Sequence, residues 1–373
     1  LDKQREKGVA TGLMGWVTVL WLSLMSVPAP ALITGQLEKG TPRDAAWELV
    51  EKLGYQSASC DLVLLGEEDA RLAYAEFFRA DCGQAQLFLK FDNKPAAQAF
   101  LPMMRLLENE PALSAAIVQP IAEFSVTREG ERHYCSAYPW VAGDTLEALL
   151  DKVREPEQEA EYLAGIYYKI GQLLGEMHGA SLVNADKPLA ELQSYLVQRD
   201  LHRANLKITP DNSIVILDID SFTGRQKPVS VQKVFVKDFI ALVFFGGPAF
   251  FFMDEPPSLS WLTVLPPVAE AMMTAYCETL MGKDQAAACV SEMVEKIVTK
   301  LWWWRQFMKE YFKNGEEERK LEKDKQNRVD GGTTSTAVKK EEEIPTIVTK
   351  EELERRLEMV FGPLRSSFLN FPE

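Results

Sequence analysis

The chain has 373 residues, 46% of them hydrophobic and 26% charged, with a formal net charge of −14. That acidic balance argues against a broad nucleic-acid surface, because phosphate binding needs clustered Lys and Arg. The length suits one large domain or two packed lobes. Only three histidines (His133, His178, His202) and no CxxC among five cysteines argue against a zinc site.

The N-terminus carries Lys3, Arg5 and Lys7, then the apolar run "GLMGWVTVLWLSLM", then "SVPAPA" with Ala29 and Ala31 two apart. A basic region, a short apolar core and a small-residue A-x-A site make a secretory signal pattern. The uncharged stretch 9–36 is also long enough to span a bilayer. Residues 1–31 therefore read as a signal peptide or a membrane anchor, with Pro28 and Pro30 favouring cleavage. On this reading the protein is secreted or membrane-anchored, with membrane contact through residues 9–36. If the segment is instead a buried apolar helix, the protein is cytoplasmic. The cysteines read most simply as buried thiols. In an exported chain Cys60 with Cys82, or Cys277 with Cys289, are available for disulfides, and the sequence alone does not pair them.

Next, "TPRDAAWELVEKLGY" (41–55) predicts a short helix, with Thr41 as cap, Pro42 at its first position and Ala45, Leu49, Val50 and Leu53 at helical spacing. "DLVLLG", "RLAYAEFFRA" and "AQLFLKF" read as three strands joined by turns, an antiparallel meander. A helical segment, "PAAQAFLPMMRLLEN", and a strand pair, "IAEFSV" and "RHYCSAYPWV", complete a small mixed lobe over 40–140. From Gly143 the pattern turns mainly helical, giving a second lobe over 141–312 whose last helix is "TKLWWWRQFMKEYF". The stretch 313–345 has almost no large apolar residues and reads as a charged flexible linker or a frayed helix. A capping box, Thr349 to Glu352, opens a C-terminal helix in 346–373.

The chemistry gathers in "QRDLHRANLKI" and "ILDID". Moving a phosphoryl group needs a carboxylate beside the acceptor hydroxyl, hard oxygen ligands for a metal ion and a cation on the phosphates. Asp200, Asn205 and Asp218 supply three oxygen-bearing side chains, five and eighteen positions apart from Asp200. "LKI" and "SIVIL", hairpinned around "TPDN", would bring Asp218 back to Asn205.

In these residues the chain resembles the kinase-like phosphotransferases, above all the aminoglycoside phosphotransferase and choline kinase type. Their loop reads roughly HGDLHxxN, followed by a strand pair that ends in an aspartate with a second acid two positions on. "SAYPWVAGDTL" is similar to the family's interlobe connector, "GQLLGEMHGA" to the helix before the loop and "VKDFIALVFFG" to the helix after the metal-binding strand. The resemblance covers about 270 residues and implies an α+β, bilobal protein-kinase-like fold, with a small antiparallel-sheet N-lobe and a mainly helical C-lobe. It implies an ATP-dependent phosphotransferase acting on a hydroxyl of a small molecule or protein. Asp200 would be the base, Asn205 and Asp218 would hold Mg²⁺, and Asp220 would assist a second metal or a substrate amine. Lys90, on the third strand of the meander, would contact the nucleotide phosphates. His202 and Arg203 would make loop or substrate contacts, and His178 would be structural.

The sequence departs from the family where Gln198 and Arg199 replace its His and Gly. No Gly-rich loop precedes Lys90, and the helix position expected to carry its acidic partner is closest to Gln98. Two alternatives follow: a kinase-like pseudoenzyme that binds a nucleotide or partner without catalysis, and a membrane-tethered interaction protein whose linker and terminal helix recruit a partner.

Overall fold

In the computed structural model of the chain the described residues are 32–38, 40–65, 75–95, 100, 103–104, 107–198, 200–218, 227–244, 259–329 and 348–364. Asp220, Gln98 and Arg199 lie outside them, as do residues 1–31.

The first lobe is a six-stranded sheet of β1 (Ile33–Gln36), β2 (Cys60–Leu65), β3 (Ala75–Cys82), β4 (Ala85–Asp92), β5 (Ala122–Arg128) and β6 (Glu131–Pro139), in spatial order β1-β5-β6-β4-β3-β2. The expected meander is β2 to β4, with Cys60 opposite Cys82 and Cys82 opposite Ala85. One edge differs from an all-antiparallel sheet: β1 runs parallel to β5, Ile33 opposite Ala122. A parallel pair needs a long crossover, and the helix and meander between these strands supply it. The last four residues of the stretch expected to touch a membrane are thus part of the sheet.

Helix α1 (Pro42–Lys52) starts where Thr41 Oγ1 accepts from the Asp44 amide at 3.2 Å, a cap that contributes about 1 kcal/mol. Its Ala45, Ala46, Leu49 and Val50 are fully buried against one sheet face. The period-two alternation of β4 decides what the other face carries. Leu87, Leu89 and Phe91 turn toward α1, so Phe88 and Lys90 turn toward the second lobe.

The second lobe has its own hydrophobic cluster. After the connector come β7 (Asp144–Thr145) and α3 (Leu146–Lys152), following the short α2 (Pro111–Ala116) that precedes β5. Gly143 has φ +108°, and a Cβ there would run into the carbonyl of Ile208, so only glycine fits this entry to the lobe. Helix α4 (Ala160–Gly179) packs along α6 (Leu259–Met281). Gly171 and Gly175 let the two helices approach: a Cβ at Gly171 would meet the carbonyl of Met272, and one at Gly175 would lie 3.0 Å from that of Tyr276. Strands β8 (Gln193–Ser194) and β11 (Val229–Ser230) pair, and β9 (Leu206–Ile208) and β10 (Ile214–Ile216) form the predicted hairpin, joined by β7. Helix α5 is Val231–Val243.

Helix α7 (Lys283–Val329) continues into the stretch read as a charged linker or frayed helix. Helix α8 (Lys350–Phe361), capped by Thr349, packs one face into the second lobe. Its Leu353, Leu357, Val360 and Phe361 are fully buried in the second cluster, and Phe361 packs on Phe239 and Phe244. Arg305 of α7 donates to the carbonyl of Val348 just before it.

Four of the five cysteines are not thiols. Cys60–Cys82 links β2 to β3, and Cys277–Cys289 links α6 to α7, while Cys135 is free and buried. Among the described residues, no helix is long and apolar enough to cross a membrane.

Candidate active site

A cavity of about 520 Å³ lies between the lobes, walled by the sheet, the connector and the β9–β10 hairpin. Its polar residues include Lys90, His202, Asn205 and Asp218, four of the residues singled out by sequence.

The loop holds its polar groups outward because its apolar neighbours point in. Leu201 and Leu206 are 1% and 0% exposed, whereas Asp200 between Gln198 and Leu201 is exposed. A 3-10 turn, Arg203–Asn205, closes on the carbonyl of His202, which accepts from the Asn205 amide at 2.9 Å. Asn205 Nδ2 donates to the carbonyl of Asp200 at 2.9 Å, leaving Oδ1 as the atom available to a cation. The hairpin returns the chain as predicted: the Leu217 amide donates to the carbonyl of Asn205 at 2.9 Å and sets Asp218 beside it.

Gln198 joins these parts. It is fully buried, its Nε2 donates to the carbonyl of Asp218 at 2.8 Å, and its Oε1 accepts the amide of Asp200. The residue that departs from the family's histidine therefore ties the loop to the strand end.

Lys90 forms an ion pair with Asp92 at 3.2 Å, two positions on and on the same face of β4. A carboxylate on its own strand thus faces Lys90, where the sequence pointed to Gln98 on a helix. Arg203 does not line the cavity. Its guanidinium donates to the carbonyls of Ala241 and Phe244 at the end of α5, where a cation suits the helix dipole. Burial lowers its pKa.

Behind the loop, Asp238 of α5 is fully buried with neither carboxyl oxygen hydrogen-bonded. Burial pushes its pKa well above the usual carboxylate range, Lys237 opposes this and Asp200 adds to it. Nearby, His178 Nδ1 and the hydroxyl of Tyr276 are 2.9 Å apart, and burial lowers the His178 pKa to about 3. His178 is a neutral core residue, as expected. The missed signal at Asp238 is a lone acid inside the apolar helical run "VFVKDFIALV".

The connector contributes what sequence did not single out. Trp140 and Tyr138 line the cavity with Phe77 and Phe88 from the sheet, and Lys207 of β9 lines it from below.

The donor set fits a hard divalent cation. Asn205 Oδ1 and the Asp218 carboxylate are oxygen donors on one wall, and Mg²⁺ is commonly held by one or two carboxylates with substrate phosphates and water. Among the described residues no cluster of three His, Cys, Asp or Glu could hold a metal without such help.

The sheet lobe, connector, loop and hairpin around one cleft define a bilobal, protein-kinase-like α+β fold. No family model matches the chain, and no curated protein matches it. Among solved structures it is similar to "WaaP in complex with acyl carrier protein", at 16% identity and a TM-score of 0.41, covering 70% of this chain and 98% of that one.

Proposed function

We propose that the protein is a metal-dependent phosphotransferase that moves the γ-phosphoryl group of a purine nucleoside triphosphate such as ATP to a hydroxyl. The observation that carries this reading is the shared cavity wall of Lys90, Asn205 and Asp218, with Asp200 bonded to Asn205 beside it. Asn205 Oδ1 and Asp218 would hold Mg²⁺, which when bound neutralises phosphate charge. Lys90 steadies the phosphate oxygens. Asp200 orients the acceptor hydroxyl and takes its proton as the phosphoryl group arrives and the nucleoside diphosphate leaves. Asp220 stays a candidate second acid, and His202 on the cavity wall a candidate acceptor contact.

The two disulfides support an oxidising compartment, hence export or a membrane-anchored lumenal setting, where an ATP-containing lumen would supply the donor. The pseudoenzyme reading is favoured by one observation: Lys90 is engaged by Asp92, which competes with phosphate.

A thermal-shift titration with Mg-ATP, joined to a γ-phosphate transfer screen against sugars, aminoglycosides, choline-like amines and proteins, tests both. Asp218→Ala should abolish the Mg-dependent shift. Asp200→Asn should keep the shift and lower transfer by about a hundredfold or more. A shift without transfer to any acceptor favours the pseudoenzyme, and no shift at all removes the nucleotide reading.

A further inference from the structure

We propose that the connector end of the cavity selects an oxo-purine, guanine or hypoxanthine, through Lys207, so that ATP is the weaker purine donor. This rests on the nucleotide reading of the same cavity. Phe77 and Phe88 stack with centroids 5.7 Å apart at 19°, and Tyr138 meets Phe88 at 6.0 Å. With Leu217 on the opposite lobe they bound a slot suited to a planar ring.

Besides Lys90, a second lysine lines this cavity. Lys207 Nζ lies 4.5 Å from the Trp140 ring centroid, which holds the ammonium at the connector by cation–π attraction. Arg79, from the other lobe, lies 5.4 Å from the same ring. Arg79 pairs with Asp81 at 2.9 Å, while among the described residues no carboxylate forms an ion pair with Lys207. Asp144 acts on it only at longer range, with its carboxylate 2.7 Å from Lys152. Burial lowers the Lys207 pKa, so the ammonium sits partly stripped of water.

An ammonium donates and cannot accept. The N7 and O6 edge of guanine offers it two acceptors. The same edge of adenine offers N7 beside an amino group that is itself a donor. Hypoxanthine shares O6 and N7 with guanine and lacks the 2-amino group, so it isolates the edge that Lys207 would read.

The test is calorimetric titration of the full chain with the Mg complexes of GTP, ITP and ATP in their non-hydrolysable β,γ-imido forms. GTP and ITP analogues should bind alike and at least about fivefold tighter than ATP, the low end of what a lysine pair to O6 and N7 discriminates. Lys207→Met should weaken the GTP and ITP analogues to the level of ATP. Equal or tighter ATP binding, a GTP preference not shared by ITP, or a preference that survives Lys207→Met overturns the assignment while leaving nucleotide binding in place. Binding of none of the three overturns both. Should Lys207→Met fail to fold, the wild-type order of the three analogues decides.

Discussion

The side-chain amide of Gln198 donates to the backbone carbonyl of Asp218 at 2.8 Å, across twenty positions of sequence. Its other end accepts the amide of Asp200. One buried side chain thus sets the spacing between the proposed base and the proposed metal ligand. Truncation to Ala removes both hydrogen bonds, at a cost of about 1–3 kcal/mol. Gln198→Ala should therefore lower the melting temperature and weaken Mg-nucleotide binding together, whereas Gln198→His, which can still donate to Asp218, should retain most of both. Thermal unfolding with and without Mg-nucleotide reads this. Equal losses for the two variants would contradict the bridging role.

The buried pair behind the loop titrates in opposite senses. His178 is held neutral in the fold, with its pKa lowered by burial from 6.5 to about 3. Between those limits the unfolded chain binds the extra proton, so stability falls as pH drops through the window, by up to about 1.4 kcal/mol per unit. Asp238 is the reverse. Burial raises its pKa well above 3.8, so the folded chain holds the extra proton and stability falls as pH rises from there. His178→Gln should flatten the acid limb between pH 6.5 and 4. Asp238→Asn should stabilise the protein more at pH 8 than at pH 5. Urea unfolding across a pH series checks both, and curves parallel to wild type would refute them.

Each disulfide closes a short loop, and the chain-entropy picture gives about 3 kcal/mol for loops of this size. Cys277→Ser with Cys289→Ser, and Cys60→Ser with Cys82→Ser, should each lower stability by roughly that amount. The native chain should lose stability in reductant. Cys135 is buried, and burial raises its pKa to about 12, so it should resist alkylation until the chain unfolds. Mass spectrometry of alkylated native protein gives the answer: one labelled cysteine without unfolding would contradict this packing.

Helix α8 is a structural part of the second lobe. Phe361 has no exposed surface and meets both Phe239 and Phe244. Phe361→Ala should destabilise by about 3–5 kcal/mol, the usual cost of emptying a buried phenylalanine site. Deleting residues 348–373 should cost more. Guanidinium unfolding checks this, and a stability unchanged by the deletion would contradict the structural role.

Local pattern made much of this legible. The alternation in "AQLFLKF" places Lys90 on the cleft face, and the spacing in "DLHRAN" and "ILDID" brings Asn205 and Asp218 to one wall. What stayed hidden depends on distant neighbours. The parallel pairing of β1 with β5 needs the whole intervening lobe to form. The cysteines pair only once α6 meets α7 and β2 meets β3. Lys207 in "LKI" looks like an ordinary strand lysine until Trp140 arrives from the connector. That Arg203 donates to the carbonyls at the end of α5 could not be read from the loop alone. Asp220 lies outside the described residues.

The burial of Phe361 against Phe244 has a consequence for biosynthesis. The lobe that carries Asp200 and Asn205 cannot complete its core until the ribosome has added the 117 positions that separate the two rings. At ordinary elongation rates that is a delay on the order of ten seconds. Throughout it the aromatic surface of Phe239 and Phe244 that Phe361 covers waits open, while the sheet lobe, whose own core needs nothing beyond Ala137, can already be closed and oxidised. The nascent chain is then a finished half attached to an exposed one, and the interval belongs to chaperones.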